Sequence, residues 1–471
     1  MAIWPDYSLS NSIHRLLMKL KPSSVIQLFH DIESKGYKRG MLYEKENGKK
    51  RLIHLMLRPR LIKQTQKKYF SKTCRIMNQA FAKLGKFYLE IPEVQELFPF
   101  TPEEKEWMLA YLPSSINTPR AILARWDANT NFSGKQWKAS FHFLEVNAVG
   151  VGGLHYTPTA EGIILDTVIK KLQEQDLYLK IDTNEDIRQS LFFEIKHHLK
   201  TLGQKRCHIG FLQDTRSKGG PLDFFYMQKF FEKQGIQSKI VDPRDLRMKK
   251  NEIMAKDFPI DIIYRDTTLE EFIEMEHEGH RLLPIQKAFE KNRVISHLGG
   301  ELDHKSAFEI FSNPKFTQLF TQEERECFRH HIPWTRIIRE VKTTNPKEAL
   351  VDLISYAIRH QENLVFKPNR GYGGDGIIFG DFTNSQNWGK AIQKALHKPG
   401  AFILQEKCTI PKKKFPWLTP KGKLTEKSLN VVCGFIYSPY GLGILGRASG
   451  QDIVNVAQQG GMTAILTCKN K

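Results

Sequence analysis

The chain has 471 residues, of which 40% are hydrophobic and 26% charged, with a formal net charge of +20 at pH 7. These proportions are globular; they allow several domains with ample core and exclude extensive disorder. No apolar run reaches bilayer length, and residues 1–11 lack the cationic-then-apolar pattern of a signal peptide. Six cysteines (Cys74, Cys207, Cys327, Cys408, Cys433, Cys468) stand apart without C-x-x-C spacing, which argues against a zinc site or disulfide framework and for a reducing, cytoplasmic setting. The basic charge suits nucleic acid, an anionic surface or a polyanionic small molecule such as a nucleotide. Lysine and arginine are dispersed, however, with local clusters only at 49–51, 63–68 and 412–414, and no nucleic-acid module is recognisable. A solvated basic surface is the expectation, with neither membrane nor nucleic acid as partner.

Residues 1–115 read as mostly helical, because apolar residues recur at helical spacing in 13–20, 25–32 and 64–84, and Pro92, Pro99, Pro102 and Pro113 punctuate the end. Phe70, Phe81 and Phe87 are expected in the core. Ala121-Ile122-Leu123-Ala124-Arg125-Trp126-Asp127 then reads as an apolar strand ending in an arginine and an aspartate. Residues 141–147 form a second strand whose period of two sends Leu144 and Val146 to one side, and Glu145 and Asn147 to the other, in line with Phe141 and Phe143. Glu145 and Asn147, with Asp127 from a neighbouring strand, could make a hard-oxygen Mg²⁺ site; the plain alternative is an amphipathic hairpin with solvated polar positions. Gly150, Gly152 and Gly153 follow as a loop that a ligand could approach.

Helices are expected over 159–200. Strands at 207–212, 237–241 and 260–265, with a helix within 219–234, predict a small parallel α/β unit. Arg265 and Asp266 end its last strand, where open α/β sheets bind ligands, although a structural ion pair is the competing reading. Asn345-Pro346-Lys347-Glu348 reads as a helix start, with Asn as cap and Pro first, running towards His360.

Residues 364–380 (LVFKPNRGYGGDGIIFG) carry the most chemistry. An apolar strand delivers Lys367, a glycine-rich turn follows, and Ile377-Ile378-Phe379 reads as a second strand. One ammonium beside bare backbone N–H groups suits a polyphosphate. Gly371, Gly373 and Gly376 match G-x-G-x-x-G, but a dinucleotide fingerprint opens a helix and is followed by an acidic ribose ligand, and neither is present; nor is there an H-R-D or D-F-G kinase signature. An ordinary flexible hairpin remains the alternative. A helix over 387–397 turns Trp388 and Ile392 inward, a strand over 401–406 ends in Gln405-Glu406, and strands over 429–437 and 442–445 pair, followed by Arg447, Asn455 and a Gly460-Gly461 turn.

Together these parts resemble the ATP-grasp superfamily, and more closely its circularly permuted branch related to glutathionylspermidine synthases. The carrying residues are 364–376, 404–406 and Phe143-Leu144-Glu145-Val146-Asn147; the E-x-N strand precedes the glycine loop, as a permutation gives. Residues 261–269, 304–316 and 332–336 are also similar to that branch. The resemblance spans 121 to the C-terminus and implies an α/β, circularly permuted ATP-grasp fold. Residues 1–115 would be a helical N-terminal region, 116–200 a segment with the Mg-binding strand, 201–290 a small Rossmann-like pre-ATP-grasp unit, and 291–471 the nucleotide-binding domain. By position, Lys367 would bind the α/β-phosphates and Lys305 or Arg336 would supply a second contact. Gly371, Gly373, Gly374 and Gly376 would form a mobile lid, and Gln405 and Glu406 the adenine-side hinge. Asp127, Glu145 and Asn147 would hold Mg²⁺, and Arg125 would stabilise charge on the transferred phosphoryl group.

The family activates a carboxylate as an acyl phosphate that an amine attacks. This implies a ligase using ATP and Mg²⁺ to join a small-molecule or peptide carboxylate to an amine. A degenerate nucleotide-binding or scaffold protein with a basic docking surface, and an ATP-grasp small-molecule kinase, are the rival readings. Two departures from the family pattern are Asp375 in the glycine loop and the Ala-Asn-Thr after Asp127. Cys74 sits in a basic helix without a catalytic partner, so no amidase domain is expected. On net charge alone, an acidic peptide or amino acid suits the protein better than a polycation.

Overall fold

In the computed structural model, which describes residues 7–118, 122–134, 136–175, 179–217, 219–371, 373–419, 421–451 and 460–469, a six-stranded antiparallel sheet gathers distant parts of the chain. Ala121, Tyr372 and Asn455, each part of a sequence expectation, lie outside the described residues. The sheet is built on the hairpin Leu424–Ser438 and Gly441–Ser449, rich in β-branched and aromatic residues. Arg125–Asn129 pairs with the first of these strands and His142–Asn147 with Arg125–Asn129. Lys412–Leu418 and Gly461–Met462 complete the sheet, so Gly461 belongs to a strand rather than a turn. One face buries Trp126, Ala128, Phe143, Phe435 and Cys433 against the long helix Gln64–Glu90, where the Phe70 ring meets Phe435 at 5.1 Å and Phe81 meets Trp126 at 5.9 Å. Phe70 and Phe81 are core, as expected, and Phe87 packs against it.

A bulge changes which face each residue of the second strand takes. Asp127 pairs with Glu145, but Ala128 pairs with Phe143, so Leu144 is an extra residue. The phase therefore flips at Leu144: Phe141 and Phe143 join Val146 in the core, while Leu144, Glu145 and Asn147 line a cavity. Unbroken alternation had aligned Phe141 and Phe143 with Glu145. The Arg125 strand is also set later than expected, running past Asp127 to Asn129.

The parallel unit is present, with strand order Val294–Ile295, Ile262–Arg265, Ile209–Leu212, Ser238–Val241. An antiparallel meander of Leu246–Lys249, Glu252–Ala255 and Phe258–Ile260 is inserted before its third strand in the chain. Its strands are too short for a visible period, and its turns are reversed by Lys250 and Lys256 at positive φ, without glycine to mark them.

The Lys367 strand, Leu364–Pro368, lies in an antiparallel sheet between Phe402–Glu406 and Ile378–Phe379, with Thr335–Ile337 at the other edge. Its back carries Leu364, Phe366 and Leu404 against Trp388 and Ile392 of the helix Ser385–Leu396. Asn345 does not start a helix. Its side chain accepts from the Lys347 and Ala349 amides to close a hairpin between Lys342–Thr344 and Leu350–Asp352, and Asp352 caps the helix Leu353–Arg359 by accepting from the Ser355 amide. Asn-Pro serves a turn as well as a cap.

The first quarter is mostly helical, with Tyr7–Lys19, Pro22–Arg39, Gln64–Glu90 and Pro102–Tyr111, yet short strands tie it to the rest. Leu42–Glu44 pairs with Gly220–Pro221, and Arg60–Lys63 runs parallel to Ile465–Lys469. No helix among the described residues is long and apolar enough to cross a membrane. Where the last strands approach each other, a Cβ on Gly446 would collide with the Thr463 carbonyl oxygen. Gly446→Ala is expected to cost about 1–3 kcal/mol through overpacking, read as a lowered denaturation midpoint; an unchanged midpoint would show that the contact yields freely.

Candidate functional site

A cavity of about 740 Å³ opens between the central sheet, the Lys367 sheet and the parallel unit. Lys367 reaches it because strand alternation puts Val365 and Lys367 on the face opposite Phe366. The lysine is only 7% exposed, and its Nζ donates to Gln405 Oε1 at 2.6 Å. Gln405 is held in turn through its Nε2, which donates to Thr335 Oγ1 at 3.0 Å. Burial pushes the lysine pKa from 10.5 down to about 8; nearby Glu145 works against that and Lys305 adds to it. Lys305 Nζ donates to the Gly371 carbonyl at 2.9 Å and lies 3.4 Å from Glu145 Oε2. It stands in a smaller adjoining cavity of about 140 Å³, shared with Glu145 and Asn147.

Above Lys367 the glycine loop runs through the left-handed region at Gly371, Gly373, Gly374 and Gly376 (φ 111°, 79°, 80° and 71°), conformations that side chains resist. Gly373 and Gly374 line the main cavity, Gly371 the smaller one, and Gly376 turns the chain back against Pro368. The loop's stem is fastened from outside. Both Arg370 terminal nitrogens donate to Glu104, at 2.6 and 3.0 Å, and Glu104 also caps the helix Pro102–Tyr111 by accepting from the Thr101 amide.

The opposite wall is one face of the Arg125–Asn129 and His142–Asn147 pair. Asp127 accepts from Arg125 at 2.8 and 3.0 Å, pairs with Arg447 Nη2 at 2.8 Å and accepts from Asn147 Nδ2 at 3.2 Å. Burial pushes its carboxyl up, but the two guanidinium groups outweigh burial and hold it at about 2. Gly434, directly across the strand, leaves room for the pair: a Cβ there would come within 2.7 Å of both Arg125 and Asp127. Asn129, on the same face, has a buried Oδ1 without a partner among the described residues.

Most of the expected residues therefore converge: Arg125, Asp127, Glu145, Asn147, Lys367, Gly373, Gly374, Gln405 and Glu406 line one cavity, and Lys305 and Gly371 its annex. Arg336 does not. It pairs across the strand with Leu404, on the core side, while Thr335 pairs with the cavity-facing Gln405. Its guanidinium lies under the Trp334 ring and donates to Thr335 O, Thr343 Oγ1 and Thr344 Oγ1, so it braces the 342–352 hairpin. The Arg265-Asp266 pair divides: Arg265 is fully buried against Glu301 at 2.6 Å, and Asp266 faces the cavity. Arg447 and Asp223 are lining residues that the sequence reading did not select. A lone arginine in an otherwise apolar strand pattern was the available signal for the first. Cys408 lines the cavity too, but burial pushes its thiol up to about 12, and Cys74 is buried with its thiol raised likewise, so neither is a ready nucleophile.

Among the described residues no three His, Cys, Asp or Glu side chains cluster as a metal site. The oxygens of Glu145, Asn147 and Asn129, beside Asp127, are hard donors that suit Mg²⁺ shared with phosphate oxygens rather than an all-protein cage.

No family model matches the chain, and no curated protein matches it. Among solved structures it is similar to a glutathione synthetase-like effector (GSS30) from Globodera pallida in its apo form, with a TM-score of 0.62 at 12% identity over 95% of this chain and 98% of that one. The likeness is one of fold, and the fold is mixed α/β.

The Arg370–Glu104 contact makes a local prediction. Glu104 is 1% exposed, and Glu104→Gln leaves a guanidinium short of its partner, which is expected to cost about 3 kcal/mol. Hydrogen exchange should quicken in the peptide spanning 371–376; unchanged exchange there would mean that the clamp does not hold the loop.

Proposed function

We propose that the protein is an ATP- and Mg²⁺-dependent carboxylate–amine ligase with a circularly permuted ATP-grasp fold. One observation carries this reading: a buried lysine under a glycine-rich loop faces, across a single cavity, an Arg–Asp–Arg cluster flanked by Glu145 and Asn147. The fold likeness to a glutathione synthetase-like protein supports it. On this reading residues 291–471 bind the nucleotide, 116–200 supply the metal-side strands, 201–290 face the acceptor, and 1–115 buttress the lid.

The apolar Val365 and Phe379 and the Gln405-Glu406 segment would take the adenine. Lys367 would exchange its Gln405 bond for a phosphate oxygen, with Lys305 as the second cation and the loop amides closing over both. Glu145 and Asn147 would hold Mg²⁺, with Asn129 in place of the expected Asp127, whose oxygens are taken by Arg125 and Arg447; when bound, the ion would neutralise charge across the phosphates. The substrate carboxylate attacks the γ-phosphorus, and the bond to the departing ADP oxygen breaks. An amine nitrogen then attacks the acyl carbon, releasing inorganic phosphate and a proton as the amide forms. Arg125 and Arg447, which line the cavity beside Asp127, would oppose charge on the moving phosphoryl oxygens. The chain contributes position and charge and needs no nucleophilic side chain of its own.

Thermal unfolding with ATP–Mg²⁺, ATP–EDTA and GTP–Mg²⁺ tests the reading. ATP–Mg²⁺ at about 100 times its dissociation constant should add roughly 2.7 kcal/mol, more than ATP–EDTA adds, and Lys367→Ala should abolish the effect. No response to any nucleotide would favour a partner-binding protein, and ADP release without an amine would favour a kinase. The pH dependence has a sign. Native Lys367 releases its proton near 8 rather than 10.5, so nucleotide affinity should fall as pH rises above about 8, by up to roughly tenfold per unit. Over the same window the unliganded fold gains stability from this group, because the unfolded chain binds the proton more tightly. Flat affinity from pH 7 to 9.5 would remove Lys367 from the phosphate site.

A further inference from the structure

The six-stranded sheet changes character along its cavity face. One row of paired residues crosses four of its strands: Glu145, Asp127, Gly434, Leu445. At about 4.8 Å per strand the row spans roughly 14 Å, from a carboxylate at one end to an apolar side chain at the other. Two residues along the Leu445 strand, on the same face, is Arg447, which pairs with Met462 on the strand beyond. Leu445 and Met462 thus lie on the side away from Glu145. Gly153 leaves Leu445 uncovered, since a Cβ there would come within 3.0 Å of it. Ile53 and Tyr43, from the N-terminal quarter, also line the cavity. Ile53, Leu445 and Met462 belong to one apolar cluster, against which Tyr43 packs, so the four stand at one end.

Beside this apolar end stands a charge that is not fully matched. Arg125 and Arg447 share one carboxylate, Asp127, so the cluster keeps one net positive charge. The next carboxylate along the wall, Glu145, lies 3.4 Å from Lys305 instead. Arg447 Nε is buried without a partner among the described residues. An unused N–H donor on a cation beside apolar side chains suits a ligand that is anionic at one end and apolar at the other.

We propose that Leu445, Met462, Ile53 and Tyr43 form an alcove for an apolar chain, and that the acid substrate is an aliphatic monocarboxylic acid. This rests on the ligase reading and deepens it by naming the class of acid. The carboxylate lies at Arg447, beside Arg125, and the tail runs over Leu445 and Met462 towards the N-terminal core. Net charge alone favours an acidic peptide or amino acid, but a second carboxylate would meet apolar side chains there. Tyr43 and Ile53 thereby give the first quarter of the chain a direct part in choosing the substrate.

Isothermal titration of the full chain with acetate, butyrate, hexanoate, glutarate and hexylamine, with and without ADP–Mg²⁺, tests the alcove. Each added methylene should tighten monocarboxylate binding about threefold, so hexanoate should bind about thirtyfold or more tightly than acetate. Glutarate and hexylamine should both bind more weakly than hexanoate. Tyr43→Ser and Ile53→Thr should each weaken hexanoate about fivefold or more and leave acetate unchanged. Tyr43 is only partly buried, so its variant should stay folded, and thermal midpoints will show this for both. The chain-length series on the unaltered protein decides the matter without any variant. A flat series, glutarate or hexylamine matching hexanoate, hexanoate binding indifferent to both substitutions, or no acid binding in either state would overturn the proposal. ATP–Mg²⁺ titrated in parallel separates the two readings. Nucleotide binding without chain-length dependence defeats the alcove alone; chain-length-dependent acid binding without nucleotide binding upholds the alcove and defeats the ligase.

Discussion

Burying the Lys367 ammonium is the constraint on which the rest of this structure depends. Lowering its pKa from 10.5 to about 8 corresponds to roughly 3 kcal/mol set against the charged form, so the fold must hold the lysine firmly to keep it facing the cavity. The arrangement around it does so. Phe366 and Leu364 lock the strand from behind, Gln405 provides a neutral acceptor that a stronger anion can displace, and Glu145 offers counter-charge across the cavity without a direct bond to Lys367. A direct carboxylate partner would have satisfied the lysine and left no free charge facing the cavity.

The opposite wall solves the complementary problem. Asp127 lies between two arginines in a buried strand pair, and removing it would leave two like guanidinium charges side by side. The Leu144 bulge sets Glu145 and Asn147 beside that cluster while Phe143 stays in the core. Gly434 keeps the neighbouring strand from filling the space. Acid and base on this wall are thus placed by backbone devices and not by side-chain length.

Much of this was legible in the sequence, for physical reasons that also mark where legibility stops. The Lys367 strand and glycine loop could be read because strand period, a charged residue in an apolar run and positive-φ glycines are all local signals. The parallel unit could be read because its strands are continuous apolar runs. Arg336 was misplaced because its neighbour in the sheet, not its own segment, decides which face it takes: a phase fixed by Gln405 facing the cavity sends Arg336 to the core. The Asn345 hairpin failed because Asn-Pro serves a turn and a helix cap equally well, and only the pairing of Thr343 with Val351 distinguishes them. The strands of the first quarter, three or four residues each, acquire partners in residues 220–221 and 465–469, a relation no local window contains.

Those long-range pairings bear on how the N-terminal helices and the glycine loop work together. Arg60–Lys63 fixes the start of the long helix Gln64–Glu90 against the C-terminal strand, and the chain beyond that helix delivers Glu104 to Arg370. The long helix itself packs on the six-stranded sheet that carries Arg447, with Phe70 5.1 Å from Phe435, so the stem of the loop above Lys367 is referenced to that sheet. A loop anchored only within its own sheet could close over the lysine in many positions relative to the arginines. Anchored at Glu104, the base of the loop keeps its place relative to the opposite wall. That reference is what the helical first quarter contributes to the walls of the cavity.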